Sequence, residues 1–205
     1  EEARKILSDG GWEKNSDGVM EKTNPKDKKE ALALRFSLST SDAPELQKTA
    51  ELIKTNLEEI GFKIELKIYE ISSLNQDVIR PRKYEALLFG EIINNEGDLF
   101  AFWHSSQRND PGLNIAFYTN PKVDKILETT LGNIGKKEKL SKYADFEKEI
   151  ARDKPAIFLY SPEFIYVVAK NVRGLIINKI TNPADRFSDI YKWYKESDSL
   201  WKIFI

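Results

Sequence analysis

Residues 31–70 read ALALRFSLSTSDAPELQKTAELIKTNLEEIGFKIELKIYE. Leu32, Leu34, Phe36 and Leu38 alternate with Ala33, Arg35 and Ser37, the period of a strand with one better-buried face. Asp42 and Glu45 then have capping-box spacing, and Pro44 sits where a first-turn proline is tolerated. Leu46, Ala50, Ile53, Leu57 and Ile60 recur at helical intervals until Gly61 stops them. A second strand follows at Ile64, Leu66 and Ile68. Leu74 and Val78 predict a short helix after Ser72, limited by Pro81. Residues 84–90, YEALLFG, are apolar enough for a strand in the middle of a sheet. The order strand, helix, strand, helix, strand predicts an α/β fold: a mixed sheet with a βαβαβ core and flanking helices.

In such sheets ligands collect beyond the carboxyl ends of the strands, where Glu91 to Asp98 emerge. The run from there to Tyr118, with Phe89 and Gly90 before it, reads FGEIINNEGDLFAFWHSSQRNDPGLNIAFY. Asn94, Asn95, Glu96, Asp98, His104 and Arg108 crowd around Phe100, Phe102 and Trp103. Such polar groups are costly to bury without partners and the rings are costly to leave in water, a mixture suited to a pocket wall. The plainer alternative is a surface loop followed by an amphipathic helix.

Outward from this centre, Glu1 to Ser8 forms a short helix ended by Gly10 and Gly11. Asn15 to Gly18 turns into an extended piece at Val19 and Met20, and Lys22 to Glu30 is an exposed loop. Asn120-Pro121 caps a helix with Val123, Ile126, Leu127 and Leu131 inside. A second helix spans Lys136 to Arg152, with Leu140, Tyr143, Ala144, Phe146 and Ile150 at helical spacing. Ala156 to Tyr160 and Phe164 to Ala169 read as the strands of a hairpin around Ser161-Pro162-Glu163. The tail from Trp193 to Ile205 is aromatic without a clear period.

Composition narrows the chemistry. The chain's 205 residues suit one domain, and its 32 basic and 33 acidic residues nearly cancel, leaving no electrostatic footprint for nucleic acid. No apolar run approaches the roughly 20 residues of a membrane-spanning helix. Without cysteine, disulfides, thiolate catalysis and cysteine-ligated zinc are excluded within these residues. His104 is the sole histidine, so a histidine-rich metal site cannot be built and a Ser-His-Asp triad would depend on it alone. No phosphate-cradling glycine loop is present. Glu91, Glu96 and Asp98 could serve a carboxylate-using hydrolase, but carboxylates on one short loop more often cap helices, so an enzyme is the weaker class. No cofactor or metal is expected. The start at Glu1, without an initiator Met or export signal, reads as a piece of a longer protein.

GGW followed by DGV, then AELIKTNLEEIGFKIELKIYE, YEALLFG, DLFAFWHSSQ, GLNIAFYTNPKVDKILE, DKPAIFLYSP and DRFSDIYKWY occur here in that order. Together they resemble the carboxyl-terminal lobe of extracellular solute-binding proteins of family 5, the oligopeptide-, dipeptide- and nickel-binding receptors of ABC importers. The resemblance implies one lobe of a two-lobed, periplasmic-binding-protein-like (class II) fold spanning 1–205, with 193–205 a hinge-side tail. Its partners would be a small peptide or other small solute, a missing amino-terminal lobe and an ABC permease. The protein would reside in the periplasm or on a lipid anchor at the cell surface. The ligand-binding residues implied or placed nearby are Arg82, Glu91, Asn94, Asn95, Asp98, Trp103, Asn114 and Tyr118. Glu91 stands where peptide-binding relatives carry a Trp, Asn94 falls near their Asp, and Leu88 stands where they carry an Arg. A sensing or interaction protein that kept the receptor fold is the remaining alternative.

Overall fold

The computed structural model describes residues 1–26, 30–93, 96–176, 180 and 183–195, with 96 and 97 described by backbone alone. The chain forms two compact units, Glu1–Glu91 with Asn109–Ile115, and Ile92–Arg108 with Ala116–Ile205.

The first unit begins with helix α1 (Glu2–Asp9) and a small antiparallel sheet of β1 (Glu13–Lys14), β2 (Met20–Thr23) and β3 (Ala31–Ala33), in that order. Lys22 and Thr23 are therefore in a strand, where a loop was expected. The turn before β2 closes on the Asn15 side chain, whose Oδ1 accepts from the Asp17 and Val19 amides at 3.0 Å each.

The main sheet holds β4 (Arg35–Ser41), helix α2 (Pro44–Glu59), β5 (Lys63–Tyr69), the short α3 (Ile71–Ser73) running into a π-helical turn (Leu74–Ile79), and β6 (Ala86–Leu87). Its order is β5-β4-β6, with β4 parallel to both neighbours. The predicted βαβαβ core is thus present. Sequential crossovers have placed the first strand in the centre, where both its faces are covered: Ser37 through Ser41 are all buried. Two of the buried hydroxyls donate to acceptors in the segment around β6. Ser37 donates from N and Oγ to Glu85 at 2.7 and 2.6 Å, and Thr40 Oγ1 donates to the Leu88 carbonyl at 3.0 Å.

Three local expectations fail. The strand expected through residues 31–38 is two strands in different sheets. Leu34 divides them, since its amide donates to Met20 O at 2.8 Å and its carbonyl accepts from Lys63 at 2.9 Å. The Asp42 cap is not made: α2 has Ala43 at its N-cap without a side-chain bond. The Asp42 amide instead bonds Tyr69 O at 2.8 Å at the sheet's edge, and Pro44 has no N–H to cap. The third strand, expected in the middle of the sheet, is two residues long and stands at the end of the order, paired with β4 alone among the described residues; beyond it the Leu88 carbonyl accepts from Thr40 Oγ1.

Gly61 joins the two sheets. Its φ is +97°, and a Cβ there would stand 2.6 Å from Met20 Cγ; its carbonyl accepts from the Met20 amide at 2.7 Å. Glycine alone allows both the positive φ and the close approach.

The second unit packs α4 (Glu96–Trp103), α5 (Pro121–Leu131) and α6 (Lys136–Asp153) around Trp103, Tyr118, Val123, Ile126, Leu127, Phe146 and Ile150. Asn120 caps α5 as its sequence predicts, accepting from Lys122 N at 2.9 Å and Val123 N at 3.4 Å. Leu140 points outward at 60% exposure: α6 turns Phe146 and Ile150 inward. A short ladder pairs β7 (Val172–Arg173) with β8 (Tyr194–Lys195). The hairpin expected over 156–169 is not formed; these residues carry no strand pairing among the described residues. A lone two-stranded ribbon is marginal in water.

Candidate functional site

In the first unit, the carboxyl ends of β4, β5 and β6 deliver Ser41, Tyr69 and, beyond Leu88, Glu91. Glu70 caps α3, accepting from the Ser72 and Ser73 amides at 3.0 and 3.3 Å and from the Ser72 hydroxyl; these bonds hold its carboxyl below the usual range. Glu91 behaves oppositely. The protein around its carboxyl desolvates it and pushes it up to about 7, although the side chain is exposed. Water that reaches it offsets part of that cost, so the chemical consequence is the direction: Glu91 takes a proton more readily than a free glutamate.

Segment Asn109–Ile115 is tied onto this unit by three side chains. Arg80 forms a two-pronged pair with Asp110 at 3.0 and 3.2 Å. Arg82 donates to Gly112 O at 2.6 Å and to Ile79 O at 2.8 Å, and the Tyr84 hydroxyl donates to Ile115 O at 2.6 Å. Arg82 itself holds φ at +58°, a conformation that the surrounding bonds must enforce in a residue with a side chain. The strap holds Asn114 with no exposure at all. Arg80, Tyr84 and Asp110 were not expected in the site; only the cations of RPRKY hinted at them.

The second unit holds Asp98, Trp103 and Tyr118. Asp98 is half-buried on α4. Trp103, at 6% exposure, is a core residue with Tyr118 and Phe146 at its edges, 6.3 Å away by ring centres. The Tyr118 hydroxyl donates to Asp153 Oδ2 at 2.6 Å, and Asn120 Nδ2 donates to the same oxygen at 2.8 Å. Hydrogen bonds from Arg152, then Tyr118 and Asn120, hold Asp153 far below the carboxylate range. Burial first, and Asp153 second, push Tyr118 up to about 12. Beside them the buried Glu149 has Lys122 Nζ and Arg152 Nη2 each at 2.6 Å.

His104 does not stand as a triad base. Its Nδ1 accepts from the Ser106 amide at 3.1 Å and lies 2.8 Å from Ser106 Oγ, the geometry of a cap on the turn Ser105–Gln107. Ser105 Oγ donates to Asp124 at 2.6 Å instead of to the imidazole. With Nδ1 accepting, Nε2 carries the proton and faces Glu128 at 3.5 Å and Asp124 at 3.9 Å.

Asn94 and Asn95 lie outside the described residues, and nothing is placed for the Glu96 side chain. Arg82, Glu91 and Asn114 belong to the first unit, Asp98, Trp103 and Tyr118 to the second. Among the described residues no group of three His, Cys, Asp or Glu could hold a metal ion. No helix among them is long and apolar enough to cross a membrane. An open groove bordered by Arg35, Lys54, Lys63 and Glu85 lies at the amino ends of the strands, opposite the edge where ligands gather in α/β sheets.

Comparison with known proteins supplies the context. Residues 1–112 match the model of bacterial extracellular solute-binding proteins, family 5 Middle. The chain is 26% identical over 195 residues to the oligopeptide-binding protein AppA of Bacillus subtilis (strain 168), covering 94% of this chain and 34% of that protein. It is 22% identical over 149 residues to a probable D,D-dipeptide-binding periplasmic protein, DdpA, of Escherichia coli (strain K12), covering 71% and 28%. The solved Bacillus subtilis AppA, in complex with a nonapeptide, superposes with a TM-score of 0.71 at 25% identity, over 96% of this chain and 37% of that one. Campylobacter jejuni NikZ in complex with Ni(L-His) superposes at 0.69 and 21% identity, over 95% and 38%. The chain thus spans about a third of the length of these relatives, and its fold is that of family 5 binding proteins.

Proposed function

Because the chain belongs to the bacterial extracellular solute-binding proteins of family 5, we propose that it is a ligand-binding lobe of an ABC-importer receptor. The receptor captures an oligopeptide or a related small solute outside the membrane and hands it to a permease. The observation that carries this reading is the superposition of 96% of the chain on a receptor solved with a bound nonapeptide. The full receptor has two lobes, of which residues 1–205 supply one, and it sits in the periplasm or on a lipid anchor.

Binding is physical and turns nothing over. An extended peptide is held by polar groups of both lobes while its side chains rest in hydrated space, so affinity is high with little sequence preference. Glu91 supplies a polar group at the strand-end edge of the first unit and Asp98 supplies one from α4; the fully buried Asn114 offers a ligand no surface and belongs to the strap. By the resemblance, Leu88, Glu91 and Asn94 stand in place of an arginine, a tryptophan and an aspartate, so recognition of a peptide's amino terminus rests on uncharged or protonatable groups, which bind an ammonium more weakly than an ionised aspartate.

The test is mass spectrometry of what co-purifies with the full-length protein, followed by calorimetry with the released solute, with mixed peptides and with a nickel–histidine chelate. Saturable heat with peptides is expected. Heat from the chelate alone would move the ligand class to metal complexes, and hydrolysis of the added peptide would overturn the receptor reading in favour of a carboxylate-using enzyme.

A further inference from the structure

Strand β5 (Lys63–Tyr69) is the longest main-chain edge that the first unit leaves unpaired. The order β5-β4-β6 puts it at one end of its sheet, joined to β4 alone among the described residues; β6, at the other end, offers two residues. Two bonds fix which of its groups face outward. The Lys63 amide donates to Leu34 O at 2.9 Å, and Tyr69 O accepts from the Asp42 amide at 2.8 Å. Odd-numbered residues therefore turn their N–H and C=O toward β4, and Ile64, Leu66 and Ile68 turn theirs away from it. Among the described residues, a side chain covers one of these outward groups: the Ile64 amide donates to Glu58 Oε1 at 3.4 Å, a long bond that is readily exchanged.

An unpaired edge of this length accepts another strand, and its side chains select which. Lys63, Glu65 and Lys67 share one face; Ile64, Leu66 and Ile68 share the other, where Ile64 and Leu66 join the core and Ile68 stays 44% exposed. Lysines on an edge repel strands in general, but this edge matches itself. When β5 is set antiparallel to a second β5 with Leu66 opposite Leu66, the outward-turned residues meet in hydrogen-bonded pairs, as an antiparallel ladder demands. Glu65 of each copy then lies opposite Lys67 of the other, in the non-hydrogen-bonded positions where side chains come closest, and Ile68 lies opposite Ile64. Both charges are available: the Lys67 and Glu65 side chains are 40 and 72% exposed and stand 4.0 Å apart within one chain. Sliding the register by two residues brings Glu65 onto Glu65 or Lys67 onto Lys67. Sliding it by one sets outward-turned groups against inward-turned ones. Charge and hydrogen bonding thus select a single register.

We propose that β5 is a self-association edge: two copies of the protein pair β5 with β5, antiparallel about a two-fold axis at Leu66, and join two three-stranded sheets into one of six strands. The partner is a second copy because the charge order Lys63, Glu65, Lys67 complements itself in the one register that the main chain allows. Such an interface is isologous and closed, so it stops at two copies. The paired strands run in opposite directions, so the strand-end edges that carry Glu91 point opposite ways and each copy keeps its own.

The experiment is sedimentation velocity of the full-length protein from about 1 to 200 μM, where an interface of one strand pair populates a dimer, together with residue-resolved amide exchange. The dimer fraction should rise with concentration. Exchange at Leu66 and Ile68 should slow as it does, while Glu65 and Lys67, whose amides face β4, exchange alike throughout. Glu65→Lys and Lys67→Glu each set like charges against one another at both contacts and should weaken dimerisation about tenfold or more. The double variant Glu65→Lys/Lys67→Glu restores opposite pairs and should recover it. A protein that stays monomeric across the range overturns the proposal. So does a dimer that ignores both single variants, that the double variant fails to restore, or that leaves Leu66 and Ile68 unprotected. Protection of these amides that needs added peptide assigns the edge to a ligand strand and overturns it as well. If a variant fails to fold, the exchange pattern of the unsubstituted protein decides alone. Calorimetry with mixed peptides on the same samples keeps the receptor reading separate: a protein that binds peptide but never dimerises sinks only this inference.

Discussion

Leu127 and Leu140 show at the scale of single residues how much burial depends on the partner across the gap. Both recur at helical spacing, yet Leu127 has no exposure and Leu140 has 60%. Leu127→Ala should cost roughly 2–5 kcal/mol, the lost transfer energy plus the cavity, and Leu140→Ala within about 0.5 kcal/mol. Urea denaturation of the two variants checks this, and equal losses would refute the assignment of the core. Asp153 carries a pH prediction. Its folded pKa is depressed, by Arg152 first and then by Tyr118 and Asn120, so its contribution is present above the unfolded value of about 3.9 and disappears as pH falls below it. Asp153→Asn should flatten the fall of the melting temperature on the acid side while lowering it at neutral pH. A variant with an unchanged acid slope would assign that slope to other carboxylates. Tyr118 works on the alkaline side: raised to about 12, its contribution is lost only as pH climbs from its ordinary value of about 10 through that range.

At the scale of elements, Asn109–Ile115 is a strap tied onto the first unit by side-chain hydrogen bonds. Arg80, Arg82 and Tyr84, all ahead of β6, hold it, and a hydrogen bond to a charged group contributes about 1.5–3 kcal/mol. Arg82→Ala should therefore speed amide exchange at residues 112–115 by roughly tenfold or more, with the β4 and β5 amides unchanged. Uniform acceleration across the unit would mean that Arg82 supports the whole fold instead of the strap. The helices were the legible elements. Asn120-Pro121 and the apolar period after it predict α5 because capping and packing are both local to that stretch. The capping box at Asp42 was misleading, since the tertiary hydrogen bond from the Asp42 amide to Tyr69 fixes the residue elsewhere.

At the scale of the whole molecule, the receptor reading makes a mechanical claim. Ligand contacts present only in a closed arrangement should shift a hinge equilibrium. Small-angle scattering of the full-length protein should show a smaller radius of gyration on adding a peptide that calorimetry shows to bind; binding with an unchanged radius would refute closure.

The residues alone determined the βαβαβ order, the helix that Asn120 caps and the exclusion of cysteine chemistry, because propensity, spacing and composition act within a few neighbours. They also carried the family, through short motifs in a fixed order. Tertiary structure decided that β4 is central, that Leu34 parts two sheets, that Trp103 belongs to the core, and that 156–169 forms no hairpin among the described residues. Each of these turns on a partner distant in sequence, and a chain read by itself gives no distance between such residues.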